Sequence, residues 1–129
     1  MVILDTSIII DHLRQNTPKT YLTRLIKKYG GESLAISIVT IQELYEGKIT
    51  KKEMQEKDLL TTITPFTILL YSYEVAELAG KIARDLASPI EFSDAAIAAT
   101  AIINGAQLAT LNAKDFIHIP NLKIFPTLS

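Results

Sequence analysis

Four acidic residues stand where a fold can most easily assemble chemistry. Asp5 directly follows the apolar run Val2-Ile3-Leu4. Glu43 lies one turn into the helix expected after a strand at 34–39, and Asp94 opens the apolar stretch 95–103. Asp115 closes Asn112-Ala-Lys-Asp, just past a strand expected at 107–111. Carboxylates gathered at one place repel, because a close like charge disfavours ionisation, and a native fold tolerates them when a cation neutralises the group. A set of hard oxygen donors without cysteine or histidine suits magnesium or manganese. Such ions activate water and stabilise the charge that develops in phosphoryl transfer. No side chain reads as a dedicated general base. The only imidazoles, His12 and His118, read as a surface residue and a structural residue.

Each acid also has an ordinary structural role open to it. Thr40-Ile-Gln-Glu43 matches a capping box, in which the glutamate bonds back to the cap residue. Asp94 after Ser93 favours a helix dipole. Asp5 suits a cap of the first helix, and Asn112 with Asp115 suits a capped turn. Any one of the four is explained this way. Four at one edge are not.

The elements that must position them follow from apolar periodicity. Strands are expected at 2–4, 34–39, 67–71, 107–111 and 123–125. Helices are expected at 7–13, 20–29, 40–47, 51–60, from Ser72 onward, and 94–104. Gly30-Gly31 stops the second helix, since glycine readily takes the conformation past a helix C-terminus. Ser72 and Ser93 read as caps. The helix from Asp94 is apolar nearly all round and should be buried. Strands alternating with helices imply an α/β fold in three layers, with a mostly parallel sheet of about five strands. Ligands of such sheets bind beyond the carboxyl ends of the strands.

Bulk properties fit this frame. The 129 residues suit one domain, 1–129, and 48% are apolar, enough for a sizeable core. No cysteine is present, which excludes disulfides and a catalytic thiol. The N-terminal residues do not read as a signal peptide, and the apolar stretch 95–103 is about half of the roughly 20 residues a bilayer span needs. A cytoplasmic protein with no membrane partner is the expectation. Thirteen basic residues against fourteen acidic ones give no basic excess. Nucleic-acid binders usually show one, so any phosphate contact must come from local cations such as Arg14, Lys48, Lys51 and Lys52. Lys51 and Lys52 read best as a solvated face. The run Ile8-Ile9-Ile10 exceeds one buried stripe and, with Leu44 and Tyr45, suits either core packing or a partner groove.

The segments that carry the acids resemble those of PIN-domain ribonucleases, specifically the VapC-type toxins of toxin–antitoxin pairs. They are Ile3-Leu4-Asp5-Thr6-Ser7, Ser37-Ile-Val-Thr-Ile-Gln-Glu43-Leu, Phe92-Ser-Asp94-Ala-Ala-Ile-Ala-Ala-Thr-Ala, and Leu108-Ala-Thr-Leu-Asn112-Ala-Lys-Asp115-Phe116, followed by Leu122-Lys-Ile. They occur in family order and span nearly the whole chain. The resemblance implies Mg2+ or Mn2+ held by Asp5, Glu43, Asp94 and Asp115, directly or through water. It implies endonucleolytic cleavage of RNA by an activated water, with Thr6, Ser7 and Asn112 as supporting polar groups. It also implies a homodimer and a small cognate VapB-like antitoxin whose tail lies in a groove near the site. The chain departs from many relatives in carrying Ser88-Pro-Ile-Glu-Phe-Ser where they have a glycine before the third acid, and Glu91 stands as a rival ligand.

Other readings fit less well. A haloacid-dehalogenase phosphatase needs a second acid two residues after the first, where this chain has Ser7. A response-regulator receiver wants an acidic pair near the start and a lysine after its last strand. A silent binding module would have no need of all four acids. A housekeeping RNA-processing nuclease of the same family remains the alternative function.

Overall fold

The computed structural model describes residues 1–15 and 17–126. Ten regular elements follow in the order β1 (Val2–Leu4), α1 (Thr6–Arg14), α2 (Tyr21–Tyr29), β2 (Leu34–Ser37), α3 (Ile38–Glu46), α4 (Glu53–Ile63), β3 (Thr67–Leu69), α5 (Tyr73–Asp85), α6 (Phe92–Ile103) and β4 (Gln107–Ala109). The strands form one parallel sheet in the order β3-β2-β1-β4. Successive strand residues face opposite sides of a sheet, and the core divides accordingly. Val2, Leu4, Leu34, Ile36 and Ala109 pack with Ile8, Leu22, Leu25, Leu44 and Leu59 from α1 to α4. Ile3, Ala35 and Leu108 face the other way, onto Val75, Ala79, Ile97 and Ala98 of α5 and α6. This is the three-layer arrangement expected.

The expected fifth strand shrinks to one bridge. Ile124 pairs with Leu108 in parallel, through Leu108 N–H to the Lys123 carbonyl at 2.8 Å and Phe125 N–H to the Leu108 carbonyl at 2.7 Å. Pro120 and Pro126 flank this segment, and proline removes a ladder donor on either side. The sheet therefore has four strands.

Two caps differ from expectation in ways that matter for the site. Helix α3 starts at Ile38, not Thr40, because the Ser37 hydroxyl accepts from Val39 N–H. Thr40 is thus inside the helix and fully buried. Helix α6 starts at Phe92, with Glu91 in the cap position, so Ser93 is not its cap. The capping residue Ser72 and the glycine stop at Gly30, where φ is +82°, are as the sequence suggests. Residues 95 to 101 of α6 are all buried. Helix α4 is mostly exposed, as its lysines and glutamates imply, and Leu59 and Ile63 anchor it. No helix among the described residues is long and apolar enough to cross a membrane.

Candidate active site

Sequence order runs outward from β1 through β2 to β3, and β4 then returns to the other side of β1. The carboxyl ends of β1 and β4 thus flank the point where strand order reverses, where ligand crevices form in parallel sheets. Asp5 sits there. It occupies the cap position of α1 yet makes no capping bond. Its Oδ2 instead accepts from the Ser7 hydroxyl at 2.8 Å and from the Thr110 hydroxyl at 2.7 Å. Thr110 is itself fixed by the Asn112 N–H, which donates to its oxygen at 2.9 Å. Leu111 N–H donates to the Ser7 oxygen at 3.2 Å. Asp5 is only 4% exposed, so β1 and the loop after β4 are stitched together through one buried carboxylate.

Glu43 projects from α3 toward the same end. The Thr6 hydroxyl lies 2.6 Å from its Oε1 and 3.0 Å from the Thr40 hydroxyl. The capping-box role is therefore not the one Glu43 performs: its partner is Thr6, at the start of α1, thirty-seven residues away.

Asp94 is the third residue of α6 and half-buried. Burial first, and then the negative charges of Asp5, Asp115, Glu43 and Glu91, together push its carboxyl up to about 6. Asp5, Glu43, Asp115 and Glu91 thus all lie near enough to Asp94 to act on it, at one edge of the sheet. Asp115 is exposed and ends a single 3-10 turn, Ala113–Asp115, in which its N–H donates to the Asn112 carbonyl at 3.0 Å. Asn112 contributes backbone groups here; its side chain makes no hydrogen bond among the described residues.

Thr110 is a residue the sequence does not mark, and Thr40, marked only as a helix cap, belongs instead to the Thr6–Glu43 cluster. Threonine in a strand-end segment such as Leu-Ala-Thr-Leu-Asn is ordinary by itself. The signal available for Thr110 was its position two residues before Asn112. His118, read as structural, is exposed and lines a cleft of about 920 Å³ with Asp94, Asp115 and Lys114. His12 is half-buried and bonded to the Thr20 hydroxyl at 2.7 Å. Lys52 lines a cleft of about 470 Å³ beside Glu43 with Arg14 and Lys48, whereas Lys51 does not.

The donor set suits a divalent ion in its chemistry. All candidates are carboxylates, the hard donors that Mg2+ and Mn2+ take, and their mutual repulsion at Asp94 is what a cation would relieve. Among the described residues no three His, Asp or Glu side chains close into a ready-made metal-holding group. The fit is therefore one of charge and donor chemistry. That is the usual case for Mg2+, which keeps several waters and takes one or two carboxylates.

A family model described as the PIN domain matches residues 2–122. The chain belongs to the PIN-domain family. Among curated relatives, ribonuclease VapC19 of Mycobacterium tuberculosis is 32% identical over 127 residues, covering 95% of this chain and 98% of that protein. Ribonuclease VapC2 of Rickettsia felis is 31% identical over 124 residues and covers 92% of each. Among solved structures, that of DNA-bound VapBC from Salmonella typhimurium contains a chain that superimposes with a TM-score of 0.84 at 26% identity, over 96% of both chains. This PIN-domain chain is thus similar to VapC proteins over nearly its whole length.

Proposed function

We propose that the chain is a metal-dependent endoribonuclease and the toxin of a VapBC-type pair. The observation that carries this reading is the convergence of Asp5, Glu43, Asp94 and Asp115 on one edge of a PIN-domain sheet, in a chain similar throughout to proteins named ribonuclease VapC. A housekeeping nuclease would use the same site, but the similarity to VapC chains favours the toxin.

The four carboxylates are assigned as ligands of Mg2+ or Mn2+, which when bound supplies Lewis-acid activation of water and neutralises phosphate charge. The chain's own residues set the stage for that chemistry. Ser7 and Thr110 donate to one oxygen of Asp5, which leaves the other free of donors among the described residues and fixes its direction. Thr6 does the same for Glu43. Asn112 acts through its backbone, holding Thr110 in place. Asp94 resists carrying its charge until something positive stands nearby.

A VapB-like antitoxin is the assigned partner. Ile10, Leu13, Leu44 and Ile49 line the cleft beside Glu43, so a peptide lying there would cover the site. A homodimer is assigned as well. Ile68, Leu70, Tyr73 and Phe92 are exposed around the end of β3 and the starts of α5 and α6, where Phe92 stacks on Tyr71 at 6.1 Å. A cytoplasmic location accords with action on cellular RNA.

The test is cleavage of RNA by the purified chain. Activity should require Mg2+ or Mn2+ and stop with EDTA. Asp5→Asn and Asp94→Asn should each lower it by more than about 100-fold, beyond the usual cost of removing a group that only supports a ligand. Full activity in either variant would dismiss the metal assignment. Growth arrest on expression, relieved by a small neighbouring gene product, tests the toxin role.

A further inference from the structure

Three clefts adjoin the acidic cluster and share its members. The cleft of about 470 Å³ includes Glu43 and Gly47. Both residues also line a cleft of about 540 Å³, together with Glu91, Phe92 and Ser93. Glu91 in turn lines the cleft of about 920 Å³ that holds Asp94 and Asp115. Through these shared residues the clefts join into one trough past Glu43, Glu91, Asp94 and Asp115, with Glu43 toward one end and Asp115 toward the other.

The cations of this nearly neutral chain are placed unevenly along that trough. Arg14, Lys48 and Lys52 line the first cleft, and Lys114 lines the last. All four are exposed, and none takes part in an ion pair among the described residues. Glu43 shares a cleft with three of them and still bonds to Thr6 instead. Positive groups held apart from the carboxylates beside them are not there to neutralise the cluster. They remain available to an anion that extends past the acids on both sides, and a polyphosphate backbone has that form.

We propose that RNA lies along this trough with the bond to be cut over the acids, its backbone held by Arg14, Lys48 and Lys52 on the Glu43 side and by Lys114 on the Asp115 side. This rests on the nuclease reading and adds the path of the substrate. It answers the charge problem posed by the composition: the chain needs no overall basic excess when four of its exposed cations line one track. It also places RNA and an antitoxin tail in competition for the cleft beside Glu43.

The test uses a fluorescein-labelled single-stranded RNA of twelve nucleotides and mixed sequence, in an Asp5→Asn background that leaves it uncut. Binding is followed by anisotropy as salt is varied. Each phosphate contact on a single strand contributes about 0.7 to the slope of log affinity against log salt. Arg14→Ala/Lys48→Ala/Lys52→Ala should reduce the slope by about 2, Lys114→Ala by about 0.7, and the two sets should add. Lys27→Ala/Lys28→Ala, on α2 and outside the trough, should leave it unchanged. An equal loss in that control overturns the proposal, as does an unchanged slope in the trough variants. An unchanged slope joined to weaker binding of a protein partner would assign these cations to the partner instead. Wild-type protein that binds RNA through the trough without cutting it would sink the nuclease reading and leave the path intact. Cleavage with no response of the slopes would do the reverse.

Discussion

The two halves of the acidic cluster are built on different principles. Asp5 and Glu43 are clamped by neutral hydroxyls from Thr6, Ser7 and Thr110, all within 2.8 Å. The carboxylates of Asp94 and Asp115 accept no hydrogen bond among the described residues, and Asp94 is governed by burial and by its charged neighbours. One half is fixed by geometry whatever the charge nearby. The other half is poised by electrostatics and answers to any cation or proton that arrives. A site that must hold a charged substrate and release it needs both: a rigid reference and a responsive partner.

The sharpest way to break the rigid half is at Thr110. It donates to Asp5 and accepts from Asn112 N–H, so Thr110→Val keeps the branched shape and removes both bonds. RNA cleavage should fall about 10–100-fold, the usual cost of deleting a group that orients a metal ligand. Calorimetric titration with Mn2+ should weaken by a similar factor, and Thr110→Ser should recover most of each. Cleavage and Mn2+ affinity at wild-type levels in the valine variant would show that Asp5 needs no clamp.

How far the sequence disclosed these halves differs in an instructive way. The responsive half was legible, because Asp94 before a uniformly apolar run is a position as well as a residue. The clamp was only half legible. Ser7 and Thr6 follow Asp5 directly, but Thr110 acts across 105 residues, and nothing local marks a threonine for that. Glu43 carried an apparent capping box that failed because Ser37, three residues before Thr40, had already capped the helix. Local patterns name candidates, and only tertiary placement decides which of two hydroxyls is used. The sheet followed the same rule. Buried apolar runs located β1 and β2, β3 and β4 followed from shorter apolar stretches of which β3 is largely exposed, and the segment 123–125 became a single bridge between flanking prolines.

The responsive half should show itself in stability. The Asp94 carboxyl is raised from its ordinary value of 3.8 to about 6, so the folded chain binds this proton more readily than the unfolded chain. Stability must then fall as pH rises from about 4 to about 6, with the full penalty present above that range. Metal-free wild-type protein should therefore gain thermal stability, relative to Asp94→Asn, when taken from pH 7.5 to 5. A gain of about 2–5 °C in Tm is expected for a chain of this size. Mg2+ should supply the same relief at pH 7.5 and add little at pH 5. Parallel pH profiles for the two proteins would mean that the acids do not press on Asp94 at all.

The smallest effect is expected at Glu91, and it tests how finely the halves are divided. Glu91 is exposed, stands at the cap position of α6, and is the last of the neighbours that raise Asp94. Exposed charges interact weakly through solvent. Glu91→Gln should change RNA cleavage by less than about fivefold, with the Asp94 transition moving slightly toward lower pH. The alternative is that Glu91 serves as a ligand in place of Asp115, which is also exposed and ends a short turn. A loss at Glu91→Gln larger than at Asp115→Asn would then be seen in both cleavage and Mn2+ affinity. That outcome would keep the responsive half electrostatic but move its boundary, drawing the loop 88–93 into the site and leaving Asp115 to orient the turn after β4.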